Sequence, residues 1–366
     1  MIVENRRYRD IDVVLVGITF AIFLIGLLAI YSATQARNLP LAESYAARQA
    51  VWFAAGAVFM IMAASVSYQR FIDLAYIFYG LNVALLLVVL ILGQARLCAQ
   101  RWFSIGNFAF QPSEFMKLSL ILALSAYVAQ KKGSMKSLSS LIVPCLLVAV
   151  PFALVLLQPD LGTAILMVPI FFSILWIGGA RLKYIIWMIA LGIASLPLFW
   201  HFLRGYQKQR LMVFVDPNID PLGAGYTIIQ SKIAIGSGGL LGKGWLNGTQ
   251  NQLNFIPERH TDFIFSVIGE EWGFFGALAL ILLYFMIIQR AFDTAHKTSD
   301  RYGQCIAMGV AVLLSIQVII NISMTMGLMP VVGIPLPLVS YGGSSLLSTM
   351  IAVGFLLNVG MRRSTF

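Results

Sequence analysis

The sequence predicts an all-α fold: a polytopic integral membrane protein with ten transmembrane helices. Of its 366 residues, 59% are hydrophobic and only 11% are charged, whereas soluble domains average about 25% charged residues. The mean hydropathy is +0.86, which is too apolar for a globule in water. Apolar segments of about 20 residues, the length that crosses a bilayer, recur along the whole chain.

The ten predicted helices start near residues 12, 46, 71, 112, 138, 161, 183, 262, 304 and 340. The apolar stretch of the first is longer than the core of a signal peptide, so we expect it to be an uncleaved span. The seventh and eighth helices enclose a loop from about 203 to 261. Loops of this length are usually functional. We treat residues 1–366 as one transmembrane domain.

The distribution of Lys and Arg predicts the orientation in the membrane. With the N-terminus inside, cytoplasmic segments hold 14 of the 25 basic residues and the short outer loops hold four. Cytoplasmic loops typically show such an excess, so both termini are predicted to be cytoplasmic and the long loop to face outward. The net charge of +10 is then explained by basic residues that orient the chain in the membrane, and it does not indicate a nucleic-acid partner. Its three Cys and three His residues are too dispersed to indicate a disulfide framework or a metal cluster.

The long outer loop contains two motifs. GGLLGKGW, at 238–245, resembles a phosphate-binding P-loop, but Ser237 replaces its first Gly and Gly244 replaces its Ser or Thr. We therefore interpret it as a flexible glycine-rich loop. The preceding segment, GYTIIQSKIAIGSGG, predicts a short amphipathic helix on the outer surface.

Charged residues within or beside the predicted spans gather at one membrane face. The fourth helix opens with QPSEFMK and contains Glu114 and Lys117, the sixth opens with QPDLGTA and contains Asp160, and the eighth opens with HTDFIF and contains Asp262. In this topology the even-numbered helices start at the outer face. Three carboxylates from distant stretches therefore occupy the first turns of three helices on the same side of the membrane.

Each of these acids also has a simpler structural interpretation. Pro112 and Pro159 suit a first helical turn, and Ser113, Asp160 and Thr261 are residue types that cap helices. A carboxylate at a helix N-terminus is stabilised by the helix dipole whether or not it has a function. Two interpretations therefore stay open for each position: a helix cap at the water interface and a functional acid.

Glu114 and Lys117 are three residues apart and share a helix face, so they can form a mutually satisfied ion pair. Glu270 and Glu271 lie deeper in the eighth helix and require an interior partner or a watery cavity. Asn321 lies in the ninth helix, where hydrogen bonding between helices is the default role.

Several basic residues are further candidates. Arg101 and Trp102 follow the third helix and suit either an interface anchor or a binding site. Arg204, Lys208 and Arg210, in LRGYQKQR, suit a phosphate or a lipid headgroup equally well. Because helix N-termini also bind phosphate, the pattern as a whole indicates an outward-facing site for an anionic ligand, with carboxylates available as a base.

Seven stretches, taken together, resemble the SEDS family of bacterial cell-wall polymerases. They are RW at 101–102, QPSEFMK, QPDLGTA, DPLGAGYTIIQSKIAIGSGGLLGKG, HTDFIF, GEEWG and PLPLVSYGGSS. They occur in order across nearly the whole chain. GTQNQLNFIPERHTDFIF resembles the RodA-like elongation branch of the family more than its division branch. The lead-in to RW, GQARLCAQRW, is atypical for the family.

The resemblance implies a peptidoglycan glycosyltransferase. Such an enzyme polymerises lipid II, a disaccharide pentapeptide on undecaprenyl pyrophosphate, into glycan strands at the outer face of the inner membrane. It implies that Asp262 is the essential aspartate and that Glu114, Lys117 and Asp160 are functionally important. It also implies two sets of partners, a class B penicillin-binding protein transpeptidase and the elongation machinery.

The mechanism suggested by this resemblance uses Asp262 as a general base on a sugar hydroxyl. Helix N-termini with Lys117, Arg101 or Arg210 would stabilise the pyrophosphate leaving group, and a divalent cation, Mg²⁺ or Mn²⁺, could share that task. We expect Glu114 and Lys117 to shape the site more than to do chemistry. The main alternative is a lipid II flippase or a proton-coupled transporter, since membrane-embedded acids serve transport as well. A third is a scaffold without activity.

Overall fold

The computed structural model describes residues 11–35, 40, 44–92, 94–96, 99–105, 108–131, 135–203, 205–221 and 223–362. These residues are almost entirely helical. The helices are α1 Val13–Thr34, α2 Tyr45–Ser65, α3 Tyr68–Asp73, α4 Ala75–Leu92, α5 Pro112–Gln130, α6 Ser139–Leu157, α7 Leu161–Ile177, α8 Leu182–Phe202, α9 Gly205–Val215, α10 Ala224–Ser237, α11 Thr249–Gln252, α12 Ile264–Lys297, α13 Arg301–Thr325 and α14 Gly343–Arg362, with a 3₁₀ turn at Pro217–Ile219.

Each predicted span corresponds to a long helix in this structure. Eight of these helices are long and apolar enough to cross a membrane, so the protein is a polytopic membrane protein. The other two are α7, which is apolar but has 17 residues, and α5. Nearly all of α5 is buried in the bundle. Because it packs against protein instead of lipid, α5 tolerates polar residues that a lipid-facing helix would exclude.

Small residues allow close approach within the bundle, of helix to helix at Gly354 and of helix to loop at Gly26. A Cβ added to Gly354 of α14 would lie 2.6 Å from the backbone oxygen of Met60 in α2. A Cβ added to Gly26 of α1 would lie 2.6 Å from the Cα of Val339. Close backbone approach at small residues is how helices pack within membranes, where burial of apolar surface gives no driving force.

A small sheet corrects the all-α prediction. Strands β1 Gln94–Arg96, β2 Ala99–Ile105 and β3 Phe108–Phe110 form an antiparallel sheet in the order β1-β2-β3, between α4 and α5. Arg101 and Trp102, predicted at the exit of a helix, lie on the central strand. Strands this short carry too little alternation to be recognised in the sequence.

The predicted long loop is largely helical, since it contains α9, the 3₁₀ turn, α10 and α11. The amphipathic helix predicted for it is confirmed as α10. Ile228, Ser231 and Ala234 are spaced three residues apart and are buried along one face of α10, whereas Lys232 and Ile233 are exposed. The Ser231 hydroxyl donates to the Thr325 backbone oxygen at 2.7 Å, which ties this face to the end of α13. Arg204 and residues 1–10 lie outside the described residues.

Helix α12 is interrupted at Gly273, which has φ 64° and ψ −159°. In a continuous helix, the amides of Phe274 and Phe275 would donate to the carbonyls of Glu270 and Glu271, four residues earlier. The interruption leaves two donors and two acceptors to be satisfied, which is costly in an apolar environment.

The glycine-rich turn, residues 238–244, satisfies all four groups. Lys243 N–H donates to the Glu270 carbonyl at 3.1 Å, and Gly244 N–H donates to the Glu271 carbonyl at 3.0 Å. The other two bonds run in the opposite sense: Phe274 N–H donates to the Gly239 carbonyl at 2.9 Å, and Phe275 N–H to that of Leu240 at 3.2 Å. The interpretation of this segment as a flexible loop is therefore wrong, because four backbone hydrogen bonds fix it to α12.

The side chains of the same region give Glu270 and Glu271 the interior partners that they require. Glu270 is fully buried and accepts from the Lys243 ammonium at 2.8 Å and from the backbone N–H of Gln250 at 2.9 Å. Glu271 accepts from the Ser32 hydroxyl and from the Asn251 side-chain amide at 3.1 Å. Both acids of GEEWG are thus structural anchors for the outer segment.

This arrangement predicts that Gly242→Ala is strongly destabilising. A Cβ at Gly242 would lie 2.1 Å from the Glu271 backbone oxygen, at a φ of 81°. We expect a loss of about 2–5 kcal/mol, from overpacking together with the left-handed backbone. Thermal unfolding in detergent would measure it.

The matched control is Gly236→Ala, on an exposed turn of α10 where an added Cβ meets nothing within 4 Å. It should be neutral or stabilising by about 0.5–1 kcal/mol, since alanine favours helix. Equal melting temperatures for the two variants would contradict the tight junction between the turn and α12.

Candidate active site

The end of the outer segment positions Asp262 just before α12. The cap of α12 is Phe263, without a side-chain cap bond, so Asp262 lies outside the helix instead of in its first turn. Thr261, predicted as a cap, donates its hydroxyl to the Glu258 carbonyl at 3.1 Å. The sequence therefore located these residues correctly at the start of the helix but assigned Thr261 the wrong role.

Two polar side chains hold the backbone on either side of the Asp262 carboxylate. The amide of Asn321, a fully buried residue of α13, donates to the backbone oxygen of Asp262 at 3.0 Å and to that of Ile334 at 2.7 Å. The Ser340 hydroxyl donates to the Thr261 backbone oxygen at 2.6 Å. Asn321 was predicted to bond between helices, and its partners here are instead two loop carbonyls beside the candidate base.

The Asp262 carboxylate itself is unusual among the acids of the site. In the part of the chain that the structure describes, no group donates a hydrogen bond to it. Burial and, next, the charge of Glu258 raise the pKa of Asp262 to about 6, against the smaller opposing influence of Arg210. A Cβ added to Gly333 would lie 3.3 Å from the Asp262 Oδ2 atom, so a loop backbone walls one side. A carboxylate that is desolvated and unpaired is basic near neutral pH.

Asp160, by contrast, is saturated with donors. It caps α7, since it accepts from the Thr163 backbone N–H at 3.2 Å and from the Thr163 hydroxyl at 2.9 Å. It also accepts from the side-chain amide of Gln111 at 3.2 Å. The Arg101 guanidinium lies 3.5 Å away. The predicted cap is confirmed, but Pro159 precedes the cap and is not in the first turn. Asp160 is suited to fixing Arg101 and less suited to proton transfer.

Two arginines border a cleft at this end of the bundle. Arg101 donates to the backbone oxygen of Pro159, as does the Tyr206 hydroxyl at 2.9 Å. Arg210 lies over the Tyr206 ring, 5.8 Å from its centroid, and donates to the Val331 backbone oxygen at 3.3 Å. Leu161, Leu211 and Val332 complete the apolar walls. Gly333, which faces the Asp262 Oδ2 atom, follows Val332 of this cleft, so the two guanidiniums and the candidate base lie at the same end of the bundle.

Glu114 and Lys117 form the predicted ion pair, with 2.9 Å between the Lys117 Nζ and Glu114 Oε2 atoms. Both residues are buried, with 3% and 1% of their surfaces exposed. The Ser348 hydroxyl of α14 also donates to Glu114, at 3.1 Å. Lys117 is therefore enclosed beside Glu114, an arrangement that suits the shaping of the site.

The structure thus brings together Asp262, Asp160, Arg101 and Arg210, and it places the Glu114–Lys117 pair in the bundle behind them. Sequence reasoning missed Gln111, which bonds Asp160, and Tyr206, which joins the long loop to the start of α7. Gln111 lies within the QPSEFMK motif and could have been found there. Tyr206 carried no signal beyond its place between two basic residues. Within the described residues, no group of three or more His, Cys, Asp or Glu side chains is placed to hold a metal ion.

The buried ion pair predicts a specific stability pattern. Glu114→Gln or Lys117→Met alone should cost about 3–5 kcal/mol, because each leaves an uncompensated buried charge. The double variant should recover most of that loss. Thermal unfolding of the four proteins gives the coupling energy.

Asp293→Asn with Lys297→Met provides the control cycle. That pair is also helical, at 3.3 Å, but its side chains are 46% and 59% exposed, so it should show little coupling. A double variant of Glu114 and Lys117 no more stable than the single variants would exclude a mutually compensating pair.

Comparisons with known proteins agree with this architecture. The profile of the FtsW/RodA/SpoVE family, described as cell cycle proteins, matches residues 13–365. The chain is 40% identical to the peptidoglycan glycosyltransferase MrdB of Escherichia coli K12, over 96% of this chain and 94% of that protein. It is 33% identical to the peptidoglycan glycosyltransferase RodA of Treponema pallidum, over 98% of this chain and 99% of that protein.

Solved structures show the same fold. One, from work on the coordination of polymerization and crosslinking by a peptidoglycan synthase complex, has a TM-score of 0.83 and 35% identity, covering 97% of this chain and 99% of that one. RodA of Thermus thermophilus, a rod shape determining protein, has a TM-score of 0.73 and 30% identity, covering 97% and 98% of the respective chains. The chain is a member of the FtsW/RodA/SpoVE family.

Proposed function

We propose that this protein is a peptidoglycan glycosyltransferase that polymerises lipid II into glycan strands during cell elongation. The names of its relatives MrdB and RodA support the reaction class and the elongation role. The observation that carries the proposal is the Asp262 carboxylate, which has no hydrogen-bond donor among the described residues and faces the loop that lines a cleft bordered by Arg101 and Arg210. A proton acceptor next to an anion site is what glycosyl transfer from a pyrophosphate requires.

The proposed topology has ten transmembrane helices, both termini in the cytoplasm and the site at the outer face of the bacterial inner membrane. The eight helices that qualify by length and composition support it, together with the burial of α5 and the apolar character of α7. The excess of Lys and Arg at the opposite end of the bundle supports the orientation.

In the proposed reaction, Asp262 removes the proton from a 4-hydroxyl of the acceptor sugar. The resulting oxygen attacks the anomeric carbon of the lipid-linked sugar on the growing strand. The bond from that carbon to the pyrophosphate oxygen breaks, and its electron pair leaves with undecaprenyl pyrophosphate. Because attack occurs opposite the leaving group, an α-linkage becomes a β-linkage.

Charge develops on the pyrophosphate as that bond breaks, and Arg101 and Arg210 are positioned to stabilise it. Arg101 is partly exposed, is held by Asp160 at 3.5 Å, and lies beside the N-terminus of α7, whose dipole also favours an anion. Arg210 projects from α9 and is exposed. Lys117 is assigned instead, with Glu114, to shaping the bundle that supports these groups.

A divalent cation could share the stabilisation of the leaving group with these arginines. Asp160 already accepts three hydrogen bonds, whereas Asp262 would offer free carboxylate oxygens to such a cation. One or two carboxylates plus substrate phosphates are a donor set that Mg²⁺ accepts. Mg²⁺ or Mn²⁺ held with the help of Asp262 would supply positive charge that screens the pyrophosphate.

The proposed protein partner is a class B penicillin-binding protein, a transpeptidase that would crosslink the strands, within the elongation machinery. The similar structure from a peptidoglycan synthase complex that couples polymerization with crosslinking supports this partnership. Membrane lipid would surround the helices, and we expect no nucleic-acid partner.

The Asp262→Asn variant tests the base assignment. It should abolish polymer formation from purified lipid II without lowering the melting temperature, since Asn keeps the size of the side chain and removes a charge that burial opposes. A variant that retains polymerisation would reject Asp262 as the base. Movement of labelled lipid II across liposomes by a wild-type protein that makes no polymer would favour the flippase alternative.

Polymerisation should also depend on pH through the same residue. Because burial raises the pKa of Asp262 to about 6, the reactive carboxylate predominates above that pH. The rate should fall about tenfold for each pH unit below it. Glu258→Gln removes a charge that raises this pKa, so it should move the acidic limb of the profile to lower pH. If the acidic limb of the pH–rate profile stayed at the same pH in this variant, a group other than Asp262 would control it.

A further inference from the structure

Three consecutive backbone carbonyls just before α12 accept hydrogen bonds from distant parts of the chain. They belong to His260, Thr261 and Asp262. The Tyr341 backbone N–H donates to the first at 2.9 Å, the Ser340 hydroxyl to the second at 2.6 Å, and the Asn321 side-chain amide to the third at 3.0 Å. Each bond fixes one peptide plane, and only φ and ψ rotate between planes. The direction in which the Asp262 side chain leaves the backbone therefore depends on these three donors.

The loop between α13 and α14, residues 326–342, supplies two of the three donors. Its conformation is not one that is favoured locally, since Leu338 has φ 68°, in the left-handed region that a Cβ disfavours. The Asn321 side-chain amide reaches this loop from α13 and donates to the Ile334 backbone oxygen at 2.7 Å. A strained backbone persists only where its surroundings over-determine it, so contacts with neighbouring elements fix the loop.

Gln49 of α2 holds the other end of this loop. Its side chain is fully buried. The side-chain N–H donates to the Ser340 backbone oxygen at 3.1 Å, and the side-chain oxygen accepts from the Gly342 N–H at 3.3 Å. These two bonds lie on either side of Tyr341, so one amide fixes the residue whose N–H donates to His260. Without that amide, the Ser340 carbonyl, in a residue only 4% exposed, loses this donor, and the loop must shift to satisfy it.

The same loop also forms a wall beside the carboxylate. A Cβ added to Gly333 would lie 3.3 Å from the Asp262 Oδ2 atom, and Ile334, the next residue, shares the Asn321 amide with Asp262. One side chain therefore sets the separation between the candidate base and the wall that it faces. A general base must lie within hydrogen-bond reach of the proton that it takes, and a misplacement of about 1 Å can cost about a hundredfold in rate.

We propose that Gln49 and Asn321 are positioning residues for Asp262. They hold the loop between α13 and α14 in its strained conformation, and that loop orients the carboxylate toward the acceptor hydroxyl. The inference rests on the proposed function for the reaction in which Asp262 acts as the base. Both residues act through backbone groups of the loop and of the turn before α12. Two buried amides that only stabilised the fold would change the melting temperature without changing the base, and this is the difference that the experiment measures.

Gln49→Leu tests the proposal in the full chain in nanodiscs, because leucine is of similar size and removes both hydrogen bonds. Asn82→Leu on α4 is the matched control. Asn82 is also buried, and its amide donates to the Ser119 hydroxyl at 2.7 Å and to the Phe78 backbone oxygen at 3.0 Å. Both variants should lower the melting temperature. Only Gln49→Leu should lower kcat for lipid II polymerisation, by about tenfold to a hundredfold, with KM nearly unchanged.

Asn321→Leu should lower kcat at least as far, since it frees the Asp262 carbonyl directly. Ser340→Ala is a smaller change that removes the donor to Thr261, and it keeps the test available if a leucine variant does not fold. It should lower kcat in the same way. Equal kcat in these variants and the wild type, or the same loss of kcat in Asn82→Leu, would overturn the proposal.

A second measurement needs no turnover. Dicyclohexylcarbodiimide reacts with protonated carboxyl groups in apolar surroundings, so its modification of Asp262, located by mass spectrometry, follows the pKa of that residue, which burial raises to about 6. When the loop moves away, water reaches the carboxylate and its pKa falls. The midpoint of labelling should therefore move to lower pH in Gln49→Leu and Asn321→Leu, and stay at about pH 6 in Asn82→Leu. All of these variants keep the charged groups that act on the carboxylate, which are Glu258, Arg210, Asp160 and Arg101.

The labelling separates this inference from the proposed function. A shifted midpoint would support the positioning role even if the protein made no polymer, in which case the proposed function alone would fail. If the wild-type protein polymerised lipid II and the variants matched it in kcat and in labelling midpoint, the positioning role would be excluded and the polymerase retained.

Discussion

The break in α12 depends on the glycine-rich turn that completes its hydrogen bonding. Two helical bonds are lost at Gly273, and four bonds to residues 239–244 replace them. This replacement is needed because an apolar environment offers no water to the freed groups. The same turn brings Lys243 to Glu270, which anchors the segment that ends at Asp262. The position of the candidate base therefore depends on how the backbone groups freed by the break in α12 are hydrogen-bonded.

The acids of the outer end illustrate one rule and its exception. Asp160, Glu114, Glu270 and Glu271 each accept hydrogen bonds from named partners, as buried carboxylates must. Asp262 is partly exposed, accepts no hydrogen bond from the described residues and has a raised pKa. The satisfied acids hold arginine, lysine and backbone groups in position, whereas the Asp262 oxygens accept no hydrogen bond from the described residues. Acids that look equivalent in the sequence thus differ in their hydrogen bonding.

The helices of the bundle are not all packed equally tightly. Gly354 lets α14 approach the backbone of α2 closely, whereas α6, α7 and α8, which contain internal prolines, leave a crevice between them. A lipid-linked substrate presents the same contrast, since it joins a charged headgroup to a flexible hydrocarbon chain. Helix α7 contributes to both environments, with Asp160 at its start and Val168 and Phe172 two to three turns deeper.

The sequence by itself determined the membrane class, the positions of the long helices, the cap at Asp160 and the Glu114–Lys117 pair. Each depends on apolar length or on spacing within one helix, which are local properties. Only the tertiary structure decided which acid is unpaired, that Lys117 is enclosed, and that the turn at 238–244 is part of α12. These outcomes depend on contacts between residues far apart in the chain, such as Asn321 with Asp262, and no local pattern encodes them.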